Sequence, residues 1–322
     1  ESNRIKTPST LFSKLSTKDI NISPSKNKVN RKLDIINEDQ STKEKKFGFG
    51  ASNQIECSNS VKEVYKIIRK CTGSLGGNGS FGAIYGEATI GCMQRIVNLM
   101  KEYCEFDAAC SFIDVGSGLG KPNFHVAQDP GVRISFGVEL EKVRYDLGMH
   151  NLRHVLHFTQ AAEAPVQHGN VFFRHGDITE ANTFDPFTHV YMFDVGFPPV
   201  VLEEIAQMFN ASQAPYLICY HAPRLTIDTY GFNVEFIAQY PTSLHGSGES
   251  HMGYIYKHIG KDLRSFDHSI VDPMFQEGVE LMSGDPDELV EHVERCNEVH
   301  NSRKRITRSA SRRQTQRALD IM

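Results

Sequence analysis

Apolar residues recur along the chain in two alternating periods. Val61, Val64, Ile67, Ile68 and Cys71 fall three or four apart, which predicts a helix over 58–72 with Gly73 placed to end it. A glycine-rich stretch follows, and then Ile90, Met93, Ile96, Val97 and Met100 line one face of a second helix over 87–104. Beyond residue 110 the pattern shortens to apolar runs of strand length at 111–115, 133–138, 170–174, 189–193, 216–220, 233–239 and 252–258. Helical periods over 121–128, 140–162 and 200–210 separate several of these runs. Strands alternating with helices predict an α/β, Rossmann-like fold: a mainly parallel seven-stranded sheet with helices on both faces and a helical N-terminal extension. No helix separates the last two strands, which predicts an antiparallel pair at the edge. A terminal helix is expected over 285–298, with Asp285 as its cap and Pro286 in its first turn.

Charge changes the picture at the two ends. Residues 1–46 carry 11 Lys or Arg against 6 acids, and residues 303–322 carry 7 against Asp320 alone. The whole chain has a net charge of -4, so the part between the tails is acidic by about fifteen charges. The tails are rich in Ser, Lys, Asn and Arg with few apolar residues, so they cannot offset chain entropy by burial and are expected to be disordered. Five segments follow: a basic tail over 1–46, a helical lobe over 47–110, the α/β core over 111–262, a C-terminal helical part over 263–302 and a basic tail over 303–322. The 7 cysteines show no paired metal-ligand spacing, so no metal site is expected and a reducing compartment is. No run of about eighteen apolar residues is present, so no membrane span is expected.

The candidate chemistry centres on Asp114-Val-Gly116-Ser117-Gly118-Leu-Gly120, between a strand and a helix. Glycines there permit strained turn angles and close ligand approach, and the helix amino end adds donors. The dinucleotide fingerprint requires a third glycine where Lys121 stands. The observed G-x-G-x-G spacing points to an S-adenosyl-L-methionine site instead. Glu139 ends the second strand, where an acid can accept both ribose hydroxyls. Asp177 follows the third strand, positioned to accept an adenine amino group with Ile178 packing on the ring.

Tyr85-Gly86-Glu87, the Asp114–Gly120 loop, Gly137-Val-Glu139, Gly176-Asp177 and a Phe-containing turn after the fourth strand occur in this order. Over roughly residues 60–260 the chain resembles the Dot-type (disruptor of telomeric silencing, non-SET) histone-lysine methyltransferases. The resemblance implies a class I methyltransferase fold, S-adenosyl-L-methionine as cofactor, and a lysine in the globular part of histone H3 on the nucleosome as acceptor. It also implies that Tyr85, Gly86 and Glu87 fold over the cofactor. The resemblance likewise assigns Asp114, Gly116, Ser117 and Gly118 to its methionine part, Glu139 to its ribose, and Asp177 and Ile178 to its adenine. The family's fourth-strand motif is Asn-Asn-Phe-Ala-Phe-Gly, whereas this chain has Phe193-Asp194-Val195-Gly196-Phe197-Pro198-Pro199. Phe193, Phe197 and Tyr254 are candidate walls of a lysine channel, and Asp194 a candidate partner of the amine.

The basic tails suit nucleosomal DNA, gripped through phosphates without sequence readout. Arg303-Lys-Arg305 and Arg312-Arg313 equally suit nuclear import, so a nuclear location is expected. Two other readings stay open. One is an RNA methyltransferase with the same fold, and the other a binding protein that has kept the fold without catalysis.

Overall fold

Ser58 starts the first helix, α1 (Asn59–Thr72), by accepting the Val61 N–H on its hydroxyl at 3.2 Å. Gly73 ends it at φ +71°, its own N–H closing on the Arg69 carbonyl. Thr89 does the same for α2 (Ile90–Tyr103), accepting from the Cys92 N–H at 3.1 Å. The computed structural model describes residues 55–73, 88–158, 169–243 and 251–297, and both basic tails lie outside these.

The seven runs of strand length are all strands: β1 (Ser111–Val115), β2 (Ile134–Glu139), β3 (Val171–His175), β4 (His189–Met192), β5 (Tyr216–Cys219), β6 (Val234–Pro241) and β7 (Met252–His258). Between them lie α3 (Lys121–Gln128), α4 (Lys142–Phe158) and α5 (Pro199–Ala211). The sheet order is β3-β2-β1-β4-β5-β7-β6, parallel from β3 to β5. The last two strands form the expected antiparallel pair at the edge, in reversed order. β7 inserts between β5 and β6 and runs antiparallel to both, which leaves β6 at the edge. This mainly parallel seven-stranded sheet with its reversed seventh strand is the α/β, Rossmann-like fold expected from the sequence.

Alternation along the strands sorts the core into two clusters. Ile113, Val190, Leu217 and Tyr256 form one lateral row, and these residues pack in the larger cluster with Met149 and Leu152 of α4 and with Ile205 and Phe209 of α5. The neighbouring row, Gly137, Asp114, Tyr191, Ile218 and Ile255, points to the other side. There Met93, Ile96, Val97 and Met100 of α2 cover Tyr191, Ile218 and Ile255.

Two helices follow the sheet. The first, α6 (Gln276–Ser283), is not anticipated by the sequence pattern. The second, α7 over 286–297, matches the expected terminal helix, and Asp285 caps it by accepting the Asp287 N–H at 3.0 Å. Arg153 of α4 grips Glu294 of α7 through Nε at 2.9 and 2.8 Å, with His157 Nε2 at 2.5 Å from the same carboxylate. All seven thiols are free.

Candidate active site

The parallel strands end together, and the loop after β1 folds back over β2. The N–H groups of Gly116 and Ser117 both donate to the Val138 carbonyl, at 2.9 and 3.0 Å, and Gly120 N–H closes on Ser117 O at 2.8 Å. This path requires φ of +79° at Gly116, +55° at Gly118 and +82° at Gly120, the left-handed region that glycine enters without steric cost. The spacing of the motif is thus the spacing of its left-handed residues. Gly120 then leads into α3 with Pro122 in the first turn and no side-chain cap, so the helix amino end faces the loop. Asn151 of α4 pins the loop from behind, donating to Leu119 O at 3.1 Å.

Glu139 is 3% exposed at the end of β2. Its Oε2 accepts the Gly118 N–H at 2.7 Å and its Oε1 the Glu141 N–H at 2.8 Å, with Arg144 Nη1 at 3.9 Å. The carboxylate therefore joins strand end to glycine loop. Asp114, one strand over, is fully buried, and its Oδ2 finds no hydrogen-bond partner among the described residues. Burial first, and then the Glu139 charge, push the Asp114 carboxyl well above the usual range. Ser117 Oγ is buried and unpartnered as well. Two polar atoms left unpaired, one near the end of β1 and one in the loop after it, are costly in the free protein and suit a polar ligand that pairs with them.

The other candidates occupy distinct places. Asp177 turns the chain after β3, its Oδ1 accepting from Thr179 N and Oγ1 at 3.0 and 2.9 Å, while Ile178 is buried in the larger cluster. Leu140, which the sequence reading passes over, stands 65% exposed beside Glu139, an apolar side chain left open at the strand ends. The signal was an apolar residue directly after the strand-end acid. Phe197 lies over the glycine loop: a Cβ on Gly116 would meet its Cζ at 3.3 Å. Phe197 and Tyr254 both adjoin the larger cluster. Phe193 packs with the smaller one, its ring 4.6 Å from Tyr220 and 5.8 Å from His251 between centroids. Phe193 thus borders a different core from Phe197 and Tyr254. Tyr85, Gly86 and Glu87 lie outside the described residues.

Asp194, 1% exposed, opens a 3₁₀ turn after β4. Its Oδ1 accepts the Tyr220 N–H at 2.8 Å and its Oδ2 pairs with His221 Nδ1 at 2.7 Å. The Asp194 hydrogen bond raises the His221 imidazole above its ordinary value, against a smaller opposing effect of burial. His221 was not singled out from the sequence. It pairs with a residue 27 positions earlier, so no local spacing announces it. Among the described residues no cluster of His, Cys, Asp and Glu is suited to a metal ion.

Residues 78–210 match the family model described as histone methylation protein DOT1. No curated protein matches the sequence with significance. Solved structures with a similar fold include a putative RNA methyltransferase from Pyrococcus horikoshii, 14% identical, with 64% of this chain and 100% of that chain covered at a TM-score of 0.42. Another is magnesium protoporphyrin IX methyltransferase from Synechocystis PCC 6803 with bound SAM, 13% identical, with 66% and 87% covered at a TM-score of 0.40.

Proposed function

We propose that the chain is a divergent member of the DOT1 histone-methylation family, whose model residues 78–210 match, and that it transfers a methyl group from S-adenosyl-L-methionine to a lysine in the globular core of histone H3 on the nucleosome. The observation that carries this reading is the cradle of Gly116, Gly118 and Gly120 closed by Glu139, with Asp114 Oδ2 buried and without a partner among the described residues. The residues fit the cofactor. Asp114 Oδ2 and Ser117 Oγ offer buried partners to its amino-acid end, and an ammonium there would favour the ionised form of Asp114. Glu139 would hold the ribose, and Asp177, Ile178 and the exposed Leu140 would border the adenine.

Bound S-adenosyl-L-methionine supplies an electrophilic methyl group on a sulfonium. The chain's own part is to align the acceptor nitrogen, exclude water and remove a proton. Alignment alone can supply most of the acceleration. A free lysine has a pKa of about 10.4, so neutralising it near pH 7 costs roughly 4–5 kcal/mol. Phe197 over the glycine loop and Tyr254 of β7, opposite Cys219 at the end of β5, would wall an apolar approach that disfavours the ammonium. Asp194 with Phe193 borders the same strand ends. The basic tails would hold nucleosomal DNA and direct the protein to the nucleus.

Calorimetry with S-adenosyl-L-methionine tests the cradle. Glu139→Ala and Gly118→Arg are each expected to weaken binding at least 100-fold, the first by removing the acceptor of the Gly118 N–H, the second by placing a long side chain at a loop position with φ +55°. Undiminished affinity in both variants would remove the site. Labelled cofactor incubated with nucleosomes, free histones or total RNA then identifies the acceptor by mass spectrometry. Label in RNA alone would replace the histone reading with the RNA methyltransferase one.

A further inference from the structure

Building on methyl transfer to an amine as read above, we propose that His221 takes the proton from the acceptor nitrogen, with Asp194 as the positioning residue that holds its ring. The two form a carboxylate–imidazole dyad at the adjoining ends of β4 and β5, 2.7 Å apart. Asp194 is 1% exposed and fixed through its other oxygen by the Tyr220 N–H, so its carboxylate has one remaining direction in which to act. The His221 backbone is clamped as well. Its carbonyl accepts from Tyr256 Oη at 2.7 Å and from Thr226 Oγ1 at 2.9 Å. A wide π-type turn, Arg224–Thr229, supplies the threonine.

The Nδ1–carboxylate contact leaves the opposite ring nitrogen, Nε2, as the free basic position. The side chain is 18% exposed, and Nε2 makes no hydrogen bond among the described residues. The groups around His221 are few: Asp194, the Tyr230 ring edge-on at 5.6 Å, Tyr256 from β7, and the Cys219 thiol, which burial and Asp194 keep neutral. Asp194 is thus the charged group acting on the imidazole. The dyad and the glycine loop meet through one turn. Phe197, whose ring covers Gly116, donates its N–H to Asp194 O at 3.0 Å.

In the step this implies, an acceptor ammonium gives one proton to His221 Nε2. The freed nitrogen lone pair forms the new N–CH₃ bond, the C–S bond breaks, and its electron pair stays on sulfur. The products are a methylated ammonium, a neutral thioether and an imidazolium, so charge and atoms balance.

Two measurements test this. The first is single-turnover transfer to nucleosomes at saturating S-adenosyl-L-methionine. The wild-type rate is expected to rise with pH through the His221 ionisation, above the ordinary imidazole value. His221→Asn should lower the rate about 10²–10⁴-fold and abolish that rise, with cofactor affinity by calorimetry unchanged. Asp194→Asn should move the rise to lower pH, which a merely structural role would not do. A His221→Asn variant with the wild-type rate and pH profile overturns the proposal. The second measurement needs no activity: the His221 imidazole resonance titrated by NMR in the wild-type complexes with S-adenosyl-L-methionine and with S-adenosyl-L-homocysteine. A sulfonium near Nε2 should depress the ionisation relative to the neutral thioether. Identical titrations overturn the dyad while leaving the cofactor reading intact, whereas wild-type protein that binds neither ligand overturns both.

Discussion

At the scale of single residues, the molecule separates glycines that serve a close approach from those that serve only a turn. Gly120 has φ +82°, and a Cβ there would meet Phe173 Cζ at 2.2 Å. Gly231 has φ +78° with nothing within 4 Å. Gly120→Ala is therefore expected to cost about 2–4 kcal/mol in urea unfolding, backbone strain and overpacking together, and Gly231→Ala about 1–2 kcal/mol from the backbone alone. Equal losses would show that Phe173 moves aside freely. Asp114 carries the opposite trade. One oxygen of its buried carboxyl is unpaired among the described residues and the group is unfavourably placed for ionisation, so Asp114→Asn should stabilise the ligand-free protein by roughly 1 kcal/mol or more. The same variant should weaken S-adenosyl-L-methionine binding, and both effects can be read from thermal melts with and without ligand. The glycine loop, Asp114 and Glu139 were readable from the sequence because their meaning lies in local spacing after a strand. The Asp194–His221 pair was not, because two different strand ends bring it together.

At the scale of elements, the strands were readable to within a residue or two, since buried runs bounded by helical periods mark them. The helix α6 escaped for a physical reason. It spans eight residues, and its buried position is Gly278, where a Cβ would meet Phe136 and Phe172 at 2.5 Å. A glycine chosen for close packing reads in sequence as a helix breaker. The place of β7 between β5 and β6 was equally unreadable, because periodicity assigns faces and not neighbours. The helix α7 is held to α4 by Arg153 and His157 on Glu294. Burial pushes the Glu294 carboxyl up, but these two partners outweigh it and hold it below the ordinary range. A depressed carboxyl stabilises above its unfolded value, near 4.3, and loses that contribution as pH falls through the lower folded value. Amide exchange in α7 should therefore quicken below about pH 4. Glu294→Gln should show the faster exchange already at neutral pH. Removing the cap with Asp285→Ala should cost about 1 kcal/mol.

At the scale of the whole molecule, two buried histidines set the acid limit. Burial lowers His125 and His189 to about 3. The unfolded chain takes up protons at these residues near pH 6.5, which the folded state refuses until about pH 3. Their neutral forms are thus compatible with folding above pH 6.5, and stability falls as the solution is acidified below it. Together they should remove roughly 3–4 kcal/mol between pH 7 and pH 5, measured by urea unfolding at each pH. A flat profile across that interval would mean that both rings find water or a counter-charge. The acidic body between two basic tails adds a second global expectation. If the proposed nucleosome binding holds, its affinity should fall steeply with salt, and deleting residues 303–322 should reduce that slope.

The reversal of β7 leaves β6 as an outermost strand, the kind of border on which another polypeptide can template itself. Its pairing with β7 slips between Phe236 and Ala238, and Pro241 ends it without an N–H to offer. A kinked, proline-terminated border makes a poor seed for fibril growth, so the same irregularity that bends this strand helps keep the protein dispersed when it is crowded.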